Sequence, residues 1–146
     1  MPKKATAEDA KLIMQLYELR RESEMRKARG WFASFVPRNA DDVIQVINGA
    51  LPQENAWFRQ VSSYWDMAAS FVLRGAINEE LFVDNSGEMF FVLGKLYPFL
   101  KEIREKTNTP YLQRVEKVAT RTKEARDRLQ AMVKRAEARR AAVAKG

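Results

Sequence analysis

Apolar side chains recur at three- and four-residue steps across residues 56–75. The recurring positions are Trp57, Phe58, Val61, Tyr64, Trp65, Ala68, Phe71 and Val72. This spacing places side chains on one face of an α-helix. Met67, Ala69 and Leu73 widen the apolar face, and a helix that is apolar nearly all round is usually buried among others. The segment is therefore predicted to be the central helix of a helical domain, from Pro52 to Arg74.

Similar patterns predict further helices on both sides of this segment. Thr6 followed by Asp9 resembles a capping box that begins a first helix, and Gly30 is a plausible stop after it. Asn39 is expected to cap a short helix through residues 43–47, with a strand as the alternative because the segment is rich in β-branched residues. A later helix begins near Ser86 and contains Pro98, so a kink is expected there.

The C-terminal segment has no glycine or proline between Pro110 and Gly146, which predicts a single helix about 50 Å long. Its apolar or small positions alternate three- and four-residue steps, as in a heptad seam. The division expected is a core domain of residues 1–112 and a projecting, basic, heptad-like helix of residues 113–146. The residues predicted to mediate self-association, as a two-fold dimer, are Val115, Val118, Ala125, Leu129 and Met132.

Composition agrees with an all-α bundle and lowers the prospect of catalysis. The 146 residues are 46% hydrophobic, with six glycines and five prolines. Cysteine and histidine are absent, which excludes disulfides and removes the commonest general base and metal ligand. Neither a phosphate-binding glycine loop nor a serine nucleophile elbow is present. The sequence therefore predicts no enzyme, no catalytic or metal site and no cofactor.

The net charge of +7 is concentrated at the C-terminal end. Residues 1–110 carry 15 basic and 15 acidic side chains, whereas residues 111–146 carry 11 and 4. The first interpretation of this charge is the solvated face of a coiled coil. The alternatives are contact with nucleic acid or another polyanion and, less favoured, with an anionic membrane surface. The candidate anion contacts are Arg121, Lys123, Arg128, Lys134, Arg135 and Arg139.

Asp66 is the polar residue of the central helix most in need of an explanation. A carboxylate facing the interior requires a cationic partner, because an unpaired buried charge is costly. Arg104 or Lys101 is expected to supply it in a structural ion pair, and the alternative is that Asp66 is exposed. The second possibility is a small ligand pocket formed by Tyr64, Asp66 and Arg104.

Residues 64–118 also resemble a known family. The order is an aromatic-rich helix ending in Arg74-Gly75, an Ile77-x-x-Glu80 turn, a helix containing Pro98 and Arg104, and an amphipathic segment of residues 111–118. This resembles a bacterial all-helical domain family of unknown function, often found behind a membrane-spanning helix. The resemblance implies an all-helical fold and no established activity.

The sequence favours a non-enzymatic helical interaction or scaffold module that self-associates. The alternative function is nucleic-acid binding through the basic C-terminal helix. The N-terminal residues MPKKATAEDA are not expected to form a signal peptide, because acidic residues interrupt them at once. No uninterrupted apolar run approaches 18 residues, so a cytoplasmic protein is expected.

Overall fold

The computed structural model describes residues 3–146, which fold into helices joined by short turns. No strand occurs in this range, so the predicted all-α class is confirmed. A 3-10 turn, Tyr97–Phe99, separates α6 from α7. The α-helices are α1 (Ala7–Arg20), α2 (Ser23–Ser34), α3 (Ala40–Ile47), α4 (Pro52–Leu73), α5 (Glu79–Asp84), α6 (Gly87–Leu96), α7 (Leu100–Thr107), α8 (Gln113–Thr120) and α9 (Lys123–Lys145).

Local signals set several of these helix ends. The Thr6 hydroxyl accepts a hydrogen bond from Asp9 N at 3.1 Å, and Thr6 N donates to the Asp9 carboxylate at 2.8 Å. These two bonds form the predicted capping box. Asn39 caps α3 through Asp42 N at 3.0 Å. Gly75, with φ of +80°, follows α4 in the left-handed conformation that glycine adopts without strain.

The central position predicted for α4 is confirmed. Helices α2, α3 and α8 pack against it, and α9 packs against α6. The α4 side chains Phe58, Val61 and Trp65 are each at most 2% exposed. They join one hydrophobic cluster that also includes Leu93 of α6. Apolar burial of this extent, at roughly 25 cal/mol per Å², is the main stabilising contribution to a domain of this size.

Two predicted helix boundaries were wrong. Gly30 does not end a helix, because it lies inside α2, after a short break at Arg21-Glu22. Pro98 produces more than a kink, since the α-helix stops at Leu96 and resumes at Leu100 after a 3-10 turn. A proline lacks the N–H that an α-helical hydrogen bond needs, so a tighter turn replaces the regular ladder.

The prediction of a single, projecting C-terminal helix was also wrong. The chain breaks at Arg121-Thr122, where Thr122 is extended (φ −121°, ψ 159°) and its hydroxyl accepts from Ala125 N at 3.1 Å. This N-cap starts a new helix in a new direction. Consequently α8 packs on α4, while α9 turns back onto α6.

The proposed self-association seam lies inside the monomer as a result of that turn. Each of its members except Met132 is at most 1% exposed, and Met132 is partly buried against the core. Side chains on both sides of residue 112 therefore share one hydrophobic cluster, with no separate tail domain in the packing. The buried members are Val115, Val118, Ala125 and Leu129.

The contact between α6 and α9 depends on a glycine. A Cβ added to Gly94 would lie 2.8 Å from the Met132 Cβ and 3.0 Å from the Met132 carbonyl carbon. Those atoms belong to the backbone and the base of a side chain, so they cannot rotate away. Among the described glycines, Gly94 is the one where an added Cβ would come closest to another helix. The backbones of α6 and α9 therefore approach each other closely at this residue.

Gly94→Ala is therefore expected to destabilise the fold by about 1–3 kcal/mol, the typical cost of overpacking. Gly30→Ala is the matched control, since nothing lies within 4 Å of its added Cβ and it sits in a helix. That change is expected to stabilise the fold by roughly 0.5–1 kcal/mol. Urea unfolding of the three proteins measures both effects, and equal midpoints for the two variants would contradict the close approach.

Candidate interaction surfaces

The ligand pocket predicted from Tyr64, Asp66 and Arg104 is not assembled. The Tyr64 hydroxyl donates to the carbonyl of Leu16 in α1. The Arg104 guanidinium donates to Tyr111 O at 3.0 Å and to the Glu116 carboxylate at 2.8 Å. The Tyr64 hydroxyl thus connects α4 to α1, and the Arg104 guanidinium connects α7 to α8 and the turn before it. Burial raises the pKa of Tyr64 to about 12, so its hydroxyl remains a hydrogen-bond donor at neutral pH.

Asp66 has a structural role with a partner that the sequence did not suggest. Its carboxylate accepts from Arg114 N at 3.0 Å, from Val115 N at 3.2 Å and from the Arg114 guanidinium at 2.9 Å. These backbone donors belong to the start of α8, where helix N–H groups lack partners in the helix. The expected partners, Arg104 and Lys101, are therefore replaced by Arg114. Asp66 fixes the beginning of α8 on α4.

Glu88 is an important polar residue that the sequence analysis missed. Its carboxylate accepts from Arg29 at 2.7 Å, from Arg20 at 3.4 Å and from the Trp65 indole N–H at 3.1 Å. The Arg20 guanidinium also lies 5.4 Å from the centre of the Trp65 ring. Only 17% of the Glu88 side chain is exposed. One carboxylate thus connects α1, α2, α4 and α6.

Three arginines of the basic α9 helix are used to attach it to the body. Arg128 donates to Val83 O in α5, Arg139 donates to Ala33 O in α2 at 2.6 Å, and Arg140 donates to Lys95 O in α6 at 3.5 Å. Each acceptor lies in the last turn of its helix. Carbonyl groups there lack intrahelical partners and form the negative end of the helix dipole. Cations on α9 therefore satisfy three helix ends.

The remaining candidate anion contacts differ in whether another side chain of the fold already pairs with them. Arg121 lies 3.6 Å from Glu79, and Lys123 lies 2.9 Å from Asp127. Lys134 and Arg135 are exposed, and neither forms an ion pair or side-chain hydrogen bond within residues 3–146. Of the six candidates, these two are the ones that the fold leaves available.

Lys95 is buried without a carboxylate. Its ammonium donates to Phe32 O at 2.5 Å and Ala33 O at 3.3 Å, and it lies 4.5 Å from the centre of the Phe91 ring. Only 4% of the residue is exposed. Burial, followed by repulsion from Arg139, lowers the pKa of Lys95 to about 7. The carbonyls and the aromatic ring act in the opposite direction, because they favour the charged form.

A cleft of about 560 Å³ lies where α1, the α4–α5 turn and the start of α9 meet. Its apolar floor contains Val72, Ile77 and Val83. Its carboxylates are Glu8, Asp9, Glu79, Glu80 and Glu124. Hydrogen bonds from the backbone N–H groups of Thr6 and Asn78 lower the pKa of Asp9, so this carboxylate remains charged while it holds the α4–α5 turn against α1.

A second depression, of about 450 Å³, is predominantly apolar and lies between α4 and the α1–α2 junction. Met25 and Tyr64 are buried within it, whereas Leu19 and Met67 are exposed at its edge. Glu22, Gln60 and Ser63 complete the lining. We call this depression the α1–α4 groove. No sequence signal indicated it, because Met67 belongs to a helix whose apolar residues were all expected to be buried.

Within residues 3–146, no group of three or more acidic side chains is arranged to hold a metal ion. None of the described helices has the length and apolar character required to cross a bilayer. Comparison with family models matches residues 5–122 to a domain of unknown function, DUF4760. The segment of family resemblance, residues 64–118, lies inside this match. No curated protein and no solved structure matches the chain.

Lys95 makes stability depend on pH in a defined direction. Its pKa is about 7 in the folded state and near the ordinary 10.5 when unfolded. Between these values the unfolded chain binds more protons, so this group makes the fold more stable as pH rises from 7 to 10.5. Below pH 7 its contribution is constant.

Lys95→Met is expected to remove this rise. The rise is measured for each protein as the change in urea midpoint between pH 6.5 and pH 9.5. The exposed Lys101→Met is the control and is expected to keep the wild-type dependence. A Lys95→Met protein that retains the full rise would mean that the buried ammonium does not titrate in this range.

Proposed function

The chain belongs to the DUF4760 family of domains of unknown function, and for this member we propose a non-enzymatic helical interaction module that self-associates. The observation that carries the proposal is the apolar surface beside the α1–α4 groove. Leu19 is 55% exposed, Met67 40% and Phe71 39%. Contiguous exposed apolar side chains commonly mark sites of protein association.

The arrangement of exposed apolar side chains supports the choice of this surface. Leu19 and Met67 line the same groove, and Phe71 follows Met67 one helical turn along α4. The other large exposed apolar side chains among the described residues are Met14, Tyr17, Leu51 and Val143. The seam first considered for self-association is occupied by the body of the same chain. A second copy is therefore proposed to bind α4 rather than the C-terminal helix.

The use of polar groups supports a non-enzymatic role. Asp66, Glu88 and Arg104 have side chains at most 26% exposed, and each is engaged in holding helices together. General acid-base catalysis requires a titratable group that reaches a substrate. These three groups instead contact a helix start or oppositely charged side chains.

Phe71→Asp and Met67→Asp are each expected to shift the protein to a monomer of 16.9 kDa, because a carboxylate would be desolvated in the interface. Both side chains are exposed in the monomer, so helix content is expected to be unchanged by circular dichroism. Val143→Asp, at an exposed position on α9, is the control and should leave association intact. Light scattering at high micromolar concentration measures the mass, and a wild-type mass of 16.9 kDa would refute self-association.

A second candidate function is binding of nucleic acid or another polyanion. Residues 128–146 carry six basic side chains and one acidic side chain. Lys134 and Arg135 are exposed near the middle of this stretch. They supply charge for phosphate contacts without disturbing the arginines that dock α9. Base stacking is not favoured, because residues 112–146 contain no aromatic side chain.

For this candidate, Lys134→Gln with Arg135→Gln is expected to weaken binding to a DNA duplex. The slope of log affinity against log salt concentration should fall by about one unit per lost phosphate contact. Lys4→Gln with Lys11→Gln removes the same charge from the exposed N-terminal side and is the matched control. Fluorescence anisotropy at low salt measures both pairs, and equal losses would indicate only a net-charge effect.

A further inference from the structure

We infer that two copies of this chain pair α4 against α4 in antiparallel orientation, with the two-fold axis passing beside Met67. This inference rests on the proposed self-association and specifies its geometry. The surface that carries it is a strip along α4 at three- and four-residue steps. Its members are Gln60, Ser63, Met67, Phe71 and Arg74.

The strip is continuous and accessible. Ser63, Met67, Phe71 and Arg74 are exposed, and Gln60 is half-buried. The steps keep all five on one face, as α-helical periodicity requires. From Gln60 to Arg74 the strip is about 21 Å long, at 1.5 Å per residue. It is therefore long enough for helix–helix packing over roughly four turns.

The two ends of the strip have complementary shapes. At one end the α1–α4 groove is lined by Leu19, Ser63 and Met67, with Met25 and Tyr64 beneath. Toward the other end Phe71 is 39% exposed and does not line this groove. A two-fold axis at Met67 places Phe71 of each copy opposite Ser63 of the other, because both lie four residues from the axis. Each copy then inserts a phenylalanine into the groove of its partner, and the two insertions are equivalent.

A carboxylate and a guanidinium also lie at the two different ends of the strip. Glu22 lines the groove at the Gln60 end, while Arg74 lies at the other end. Gln60 and Arg74 are each seven residues from Met67, so the same axis brings Arg74 of one copy to the Glu22 end of the other. Arg74 forms no ion pair within residues 3–146. Glu22 accepts from Met25 N at 2.9 Å, and its exposed carboxylate keeps lone pairs for an arginine.

A parallel arrangement of the two helices does not have these properties. It would place Arg74 beside Arg74 and Phe71 beside Phe71, leaving both grooves empty. Like charges in contact oppose association. The antiparallel two-fold is thus the arrangement in which apolar shape and charge agree.

Cysteine cross-linking tests the axis directly, since the chain contains no cysteine of its own. Met67→Cys is expected to form a disulfide-linked dimer on mild oxidation, because Cα atoms facing each other at the axis fall within the 7 Å limit. Ser63→Cys is the control. Its two copies would lie about 12 Å apart along the helix axes, too far for a disulfide.

Exchanging the charges of Arg74 and Glu22 tests whether the two ends of the strip pair, without any change to Met67. Arg74→Glu alone and Glu22→Lys alone are each expected to weaken the homodimer at least tenfold, because each places like charges together twice. Mixing the two variants restores both opposite-charge pairs. The mixture is therefore expected to associate at least tenfold more tightly than either variant, by sedimentation of fluorescently labelled protein.

The outcomes separate this inference from the proposed function. A dimeric wild type whose Met67→Cys variant fails to cross-link, or cross-links no better than Ser63→Cys, overturns the arrangement but leaves self-association standing. Absence of recovery in the charge-exchanged mixture overturns it as well. A monomeric wild type at high micromolar concentration overturns both.

Discussion

The bundle depends on the Glu88 carboxylate, which is only 17% exposed and lies between helices far apart in the sequence. Arg20 and Arg29 reach it from α1 and α2, and the Trp65 indole reaches it from α4. Removing one partner from a buried charge pair typically costs 3–5 kcal/mol, since the other charge stays desolvated. Helix α1 buries only Leu16 fully, so its position relies strongly on this polar network and on the Tyr64 hydrogen bond.

The basic C-terminal segment is explained largely by the same need to satisfy buried polar groups. The last carbonyls of α2, α5 and α6 lack partners within their own helices. Arg139, Arg128 and Arg140 supply donors and positive charge at the ends of α2, α5 and α6, respectively. A cation near a helix C-terminus stabilises it by about 0.3–1 kcal/mol when exposed, and more when partly buried. Much of the positive charge is thus structural.

The sequence predicted what depends on local pattern. Helical periodicity located α4, and the Thr6 and Asn39 caps located the starts of α1 and α3. It could not predict that Thr122 would act as an N-cap and interrupt a strong helical pattern, because the competing interactions come from α4 and α6. The partners of Glu88 lie 59 and 68 residues away, beyond any spacing rule. The α1–α4 groove was missed because periodicity does not show which part of an apolar helix remains uncovered.

The family match ends at a residue across which the hydrophobic core continues. The matched segment ends at Thr122, the N-cap of α9. Within it, Gly94 of α6 leaves room for Met132 of α9, and Leu129 is 1% exposed. Without α9, the apolar face of α6 would meet water. In this chain α9 therefore completes the core, and its arginines hold it there. Leu19 of α1 and Met67 and Phe71 of α4 remain exposed on the folded chain.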